Sequence, residues 1–188
     1  MNHPTHPSVC VFCGASPQAD MRFQMLATDL GQALVKAHFN LVYGGGGRGL
    51  MGALARSALS ANGYVQGVIP QFLIDLEKAD LPLSQLHVVA TMHERKAKMA
   101  ELSQAFVILP GGIGTLEEFF EIFTGRQLQQ HKKPIILFNF DGFYDLLITF
   151  LHQKQDQHFL HGDAMSHLII EHNIEGVIKT LSQHITQR

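Results

Sequence analysis

Short, uniformly apolar runs alternate along the chain with longer stretches whose apolar residues recur at helical spacing. The runs predict strands at Val9–Cys13, Asn40–Tyr43, Tyr64–Ile69, Leu86–Ala90, Ala105–Leu109, Pro134–Phe138 and Leu168–Glu171. The periodic stretches predict helices near 18–38, 49–62, 92–104, 115–129, 142–155 and 173–186. Strands that are apolar at every position are buried on both faces, which calls for a parallel sheet with helices on each side. Right-handed crossovers then build a doubly wound, Rossmann-like α/β domain. It is expected to occupy residues 9–188 as one unit, behind a polar, proline-containing tail at 1–8.

Ligands of such sheets bind beyond the carboxyl ends of the strands, and both glycine clusters of the chain fall there. The first, YGGGGRGLMG at 43–52, contains a GxGxxG spacing in Gly44, Gly46 and Gly49. A dinucleotide site also needs a carboxylate at the end of the next strand, but that strand ends Gly67-Val68-Ile69-Pro70. Neither cluster runs into Lys-Ser or Lys-Thr, which excludes a Walker A loop. A tight turn would use some of these glycines; the surplus points to a ligand passing close to the backbone at Gly44, Gly45 and Gly46.

The second cluster, ILPGGIGTLEEFFEIF at 108–123, sets glycines and glutamates side by side. Gly111, Gly112 and Gly114 can turn successive N–H groups into an anion nest, reinforced by the positive end of the following helix and by the Thr115 hydroxyl. Glu118 has two readings. Thr115-x-x-Glu118 fits a capping box, and the same carboxylate can serve chemistry. Leu116, Phe119, Phe120 and Phe123 share a helical face suited to a core or a subunit interface.

A third segment, TMHERKAKMAEL at 91–102, begins with another capping-box pattern, Thr91-x-x-Glu94, and starts its helix at Met92. Met92, Met99 and Leu102 form its apolar stripe, and Arg95 falls on that stripe near the positive helix end. A cation placed there requires an anionic partner, either a structural carboxylate or a ligand. Lys96 beside it can reach solvent or join the site.

Charge and composition narrow the field. The formal net charge is −2, so no global field favours nucleic acid or a membrane surface. No apolar run approaches the roughly 20 residues that span a bilayer, and the cytoplasm is the expected compartment. Cys10 and Cys13 form a CxxC, but residues three apart on a strand face opposite ways, so packing accounts for them better than redox or metal chemistry. Twelve histidines include no HExxH or comparable cluster, and no metal site is expected. GxSxG is absent, and no lysine stands in a setting that suggests a covalent pyridoxal phosphate enzyme.

PGGxGTxxE at Pro110–Glu118 and the dipeptide Arg95-Lys96 together resemble the paired signatures of the Lonely Guy family, long labelled lysine decarboxylase-like. CVFCGAS, YGGGGRGLMG and GFYDLL extend the resemblance over nearly the whole chain. It implies hydrolysis of the N-glycosidic bond of a purine nucleoside 5′-monophosphate, with no cofactor, in a homodimer whose sites lie beside the subunit interface. Arg95 and Glu118 would be the essential pair. Ser16, Gly44, Gly45, Gly46, Glu77, Met92, Lys96, Gly111, Gly112, Ile113, Gly114, Thr115, Leu116, Glu117 and Thr124 would contact the nucleotide. The chain departs from the usual pattern at Ile113, where tyrosine is common, at Gly125, where tryptophan often follows the threonine, and at Ala15, the first serine of CGSS. These changes leave adenine and N6-prenylated adenine both open as the base. A non-hydrolytic nucleotide or phosphate carrier of the same fold is the competing expectation.

Overall fold

The computed structural model describes residues 5–74, 76, 81–160 and 162–185. Strands β1 (Ser8–Phe12), β2 (Asn40–Tyr43), β3 (Val65–Pro70), β4 (Gln85–Val89), β5 (Ala105–Ile108), β6 (Ile135–Phe138) and β7 (Leu168–Glu171) form one sheet in the order 4-3-2-1-5-6-7. Every neighbouring pair is parallel. Helices α1 (Met21–Lys36), α2 (Gly49–Ser60), α3 (Met92–Leu102), α4 (Ile113–Gln127), α5 (Asp145–Asp156) and α6 (Ile174–His184) connect or follow the strands. The predicted alternation is therefore the observed one, with ends shifted by a few residues.

Helices cover both faces. Val9, Val11, Leu41, Tyr43 and Val107 meet Leu30, Leu54 and Val177 of α1, α2 and α6. On the other face Cys10, Phe12, Val42 and Ile108 meet Met99, Phe119 and Leu151 of α3, α4 and α5. Each large apolar side chain buried in this way stabilises the fold by roughly 1.5–3 kcal/mol. Cys10 and Cys13 are both buried and free, and they belong to different cores. The two edge strands depart from uniform burial: β7 is half-buried beyond Leu168, and β4 has Leu86 and Val88 exposed.

Two features aim the fold at a site. The strand order reverses at β1, whose neighbours are β2 and β5, so the loops leaving β1 and β5 diverge and open a crevice at their carboxyl ends. The α3 cap is the predicted one: Thr91 Oγ1 accepts from the Glu94 N–H at 3.1 Å. Glu94 Oε2 in turn accepts from the Ala90 N–H at 2.9 Å, one residue further back than the standard box. That cap sets where α3 begins and hence which way Arg95 faces.

Candidate active site

The loops after β1, β2 and β5 are stitched together by backbone bonds. Leu109 N–H donates to Phe12 O at 2.9 Å, Gly14 N–H to Pro110 O at 3.1 Å, and Leu50 N–H to Gly14 O at 3.0 Å. Tyr144, next to α5, is buried beneath them and donates its hydroxyl to Leu109 O at 2.6 Å. Its own N–H donates to Asn139 Oδ1 at 2.7 Å. Burial raises the Tyr144 pKa well above the usual phenol range, with the Cys13 thiol adding to it, so the hydroxyl stays a donor. The carbonyl it holds lies just ahead of Pro110 and the glycines.

Helix α4 opens differently from the sequence expectation. Gly112 is its cap residue, in extended geometry at φ −95°, and no side chain bonds to the first turn. Thr115 is therefore the third helical residue, and the Thr115/Glu118 capping box does not form. The physical reason is that Gly112 and Ile113 adopt the cap and first-turn geometry three residues earlier than the box requires, which carries Thr115 into the buried face. Nor do these glycines form a nest of alternating hand. Among the described residues, the left-handed glycines are Gly45, Gly49, Gly142 and Gly162. Affinity for an anion at this point rests on the uncapped amides and the helix dipole. A β-carbon on Gly112 or Gly114 would meet nothing within 4 Å, so the space above those amides is open.

Glu118 follows on the inward face of α4 and is 9 % exposed. Arg95, on the inward face of α3, is 5 % exposed and donates from Nη2 to Gly44 O at 2.8 Å. Both charges converge on the end of β1. Desolvation raises the Cys13 pKa strongly, Glu118 raises it further and Arg95 lowers it. Glu118 also adds to the desolvation that raises Cys10. Lys96 joins α3 to α4 through ion pairs with Glu117 and Glu121. Desolvation alone would lower its pKa, but hydrogen bonds and charge from the two carboxylates outweigh this and hold it above the ordinary lysine value.

A family model described as "Possible lysine decarboxylase" matches residues 51–181. The chain is 44 % identical over 179 residues to a cytokinin riboside 5′-monophosphate phosphoribohydrolase of Rhodococcoides fascians, covering 95 % of this chain and 90 % of that one. It is 47 % identical over 152 residues to the phosphoribohydrolase LOG5 of Arabidopsis thaliana, covering 81 % and 67 %. The chain belongs to the Lonely Guy family. Its fold is also that of the molybdenum cofactor binding protein of Rippkaea orientalis, with TM-score 0.74, 22 % identity and coverage of 96 % and 98 %. The molybdenum cofactor carrier protein of Chlamydomonas reinhardtii matches with TM-score 0.71, 20 % identity and coverage of 95 % and 97 %. At those identities the likeness concerns fold alone.

The residues expected from the Lonely Guy signatures are placed unequally. Gly111, Gly112, Ile113, Gly114, Thr115, Leu116, Glu117 and Glu118 form the start of α4, and Arg95, Lys96, Gly44, Gly45 and Gly46 stand at or beside the same crevice. Ser16 is exposed on the loop after β1, and Met92 places its sulfur 3.7 Å from Arg95 Nη1. Thr124 is exposed further along α4, about 9 Å down the axis from Glu118 at 1.5 Å per residue, and is not brought to the helix start. Glu77 lies outside the described residues.

Tyr144 and Glu121 have structural parts that sequence reasoning did not assign. Glu121 follows Glu117 by one helical turn, a spacing that could have marked both as partners of one cation. Tyr144 carried no comparable signal, since its contact with Leu109 joins residues 35 apart in the chain.

Proposed function

We propose that this protein hydrolyses the N-glycosidic bond of a purine nucleoside 5′-monophosphate, AMP or an N6-prenylated cytokinin riboside monophosphate, releasing free base and ribose 5-phosphate. The observation that carries this reading is the layout of α4. An uncapped, positively polarised end begins at Ile113, and the buried Glu118 stands five residues further, about 7.5 Å along the axis. That separation suits a ribosyl phosphate, with its phosphate at the helix amides and its anomeric carbon at the carboxylate.

As the bond from C1′ to the base nitrogen breaks, positive charge develops on the sugar, as in glycoside hydrolysis. Glu118 stabilises that charge or orients the water that adds to C1′. The departing base takes up a proton, and Arg95, seated against Gly44, anchors the nucleotide or supports the leaving purine. The exposed apolar side chains of Ile113 and Phe120 on α4 support a homodimer with its sites near the interface. Among the described residues no helix is long and apolar enough to cross a membrane; the cytoplasm is the compartment we propose.

Amine chemistry on lysine is poorly supported. A Schiff-base lysine must lose its proton readily, whereas Lys96 is held charged by Glu117 and Glu121. Lys133 has a pKa lowered by burial, but it precedes β6, at the opposite end of the sheet from the crevice, and donates to Ala100 O at 2.6 Å. Incubation with AMP and isopentenyladenosine monophosphate, without metal or pyridoxal phosphate, should yield free base and ribose 5-phosphate. Binding without release would support a carrier, and carbon dioxide from lysine would overturn the reading.

A further inference from the structure

Gly44 directly follows β2, and its carbonyl accepts the 2.8 Å bond from Arg95 Nη2. A β-carbon placed on Gly44 would lie 2.0 Å from that same nitrogen, 3.1 Å from Arg95 Cζ and 3.1 Å from Met51 Sδ. The guanidinium therefore occupies the volume that any other residue at position 44 would fill. The backbone at Gly44 does not itself demand glycine, because it is not among the residues with positive φ. Its neighbours answer to other constraints. Gly45 and Gly49 are left-handed, at φ +78° and +53°, and a β-carbon on Gly52 would fall 2.1 Å from the Gly47 carbonyl oxygen.

The helix that this loop opens is also engaged. Leu50, in the first turn of α2, gives its N–H to Gly14 O at 3.0 Å. One of the amides that an anion would need there is thus already used by the loop after β1. Close approach, which the sequence attributed to a ligand, is made at Gly44 by an arginine of the same chain.

We infer that Gly44 is a positioning residue for Arg95, and that the first glycine cluster seats this guanidinium instead of cradling the nucleotide phosphate. The carbonyl supplies the bond, and the missing side chain supplies the space. Its effect on turnover rests on the proposed hydrolase reading; the seat itself does not. The atoms that an added methyl would strike are the far ends of flexible side chains, so Gly44→Ala should displace Arg95 and leave the backbone in place.

The test combines a structure, a melt and a binding cycle. In a crystal structure of Gly44→Ala the guanidinium should have left the Gly44 carbonyl, and AMP cleavage should fall on the order of 10–100-fold in kcat/KM. AMP binding is then measured by calorimetry in the Glu118→Gln background, where turnover is blocked. Adding Gly44→Ala should weaken binding several-fold when Arg95 is present and leave it unchanged when Arg95 is already alanine. An equal loss in both backgrounds would mean that Gly44 touches the nucleotide directly and would overturn the inference, as would a crystal structure with Arg95 unmoved. Should Gly44→Ala be unstable, adding Arg95→Ala must restore its melting temperature, and failure to do so counts against the seat. If wild-type protein neither binds nor cleaves AMP, the hydrolase reading falls, while the crystal structure and the melting rescue still decide the inference.

Discussion

Thr115 and Glu118 both face inward from α4, and neither caps it; Gly112 holds the cap position. The Glu118 carboxylate is therefore not needed by the helix start. Burying it is costly unless something else uses the charge. Glu118→Gln is expected to reduce turnover by about 10²–10⁴-fold and to leave the fold intact, since the isostere keeps the volume of the buried side chain. Thermal melts beside product assays check this. A clear loss of stability with wild-type turnover would return Glu118 to a structural role.

The glycines of the α4 start are not equivalent. A β-carbon on Gly111 would fall 2.1 Å from Thr115 Oγ1 and 2.5 Å from Thr115 Cβ, whereas one on Gly114 meets nothing within 4 Å. Gly111→Ala should thus destabilise the fold by about 1–3 kcal/mol through overpacking. Gly114→Ala replaces a helical glycine and should stabilise by roughly 0.5–1 kcal/mol. Its methyl also enters the space above the amides, so KM for AMP should rise several-fold with kcat largely kept. Melts and steady-state kinetics on the two variants separate these effects.

The order of strands and helices was legible because uniformly apolar runs and helical periodicity are local signals, and β2 and β7 match their predicted bounds. The inward aim of Arg95 followed from Met92 and Met99 at helical spacing, although Met92 itself is 37 % exposed. What failed was the start of α4. Thr115-x-x-Glu118 satisfies the capping pattern, but so does a glycine cap with no side chain, and only packing of Thr115 against Gly111 shows which one wins. The reason for Gly44 was equally hidden. It depends on Arg95, 51 residues away in the chain, and no local pattern carries that contact.

Lys96 was expected to meet the nucleotide, yet it is held by Glu117 and Glu121 across α3 and α4. Its removal leaves two carboxylates uncompensated close to the proposed phosphate position. Lys96→Met should raise KM for AMP, more so at low salt where exposed charges are less screened. Adding Glu121→Gln to that variant should recover part of the loss, because the remaining negative charge is smaller. No recovery would mean that Lys96 binds the phosphate directly. KM measured at two ionic strengths for the single and double variants distinguishes the two roles.

His131 gives the fold a dependence on pH. Its Nε2 lies 2.9 Å from Ile122 O, and its Nδ1 accepts from the Lys133 N–H at 3.3 Å, an arrangement that fits the neutral ring. Burial lowers its pKa, the Lys133 and Arg126 charges add to that, and the hydrogen bond to Ile122 opposes it. With the folded value depressed, the unfolded chain takes up the proton first. The contribution of His131 to stability is therefore complete above the unfolded value of about 6.5 and declines as pH falls through and below it. The melting temperature should be steady from about pH 8 to 7 and drop towards pH 5, above the range where most carboxylates titrate. His131→Gln should flatten that drop. His87, also lowered mainly by burial, should account for a further part, measurable in His87→Gln. An unchanged slope in the His131 variant would place the origin of the pH dependence elsewhere.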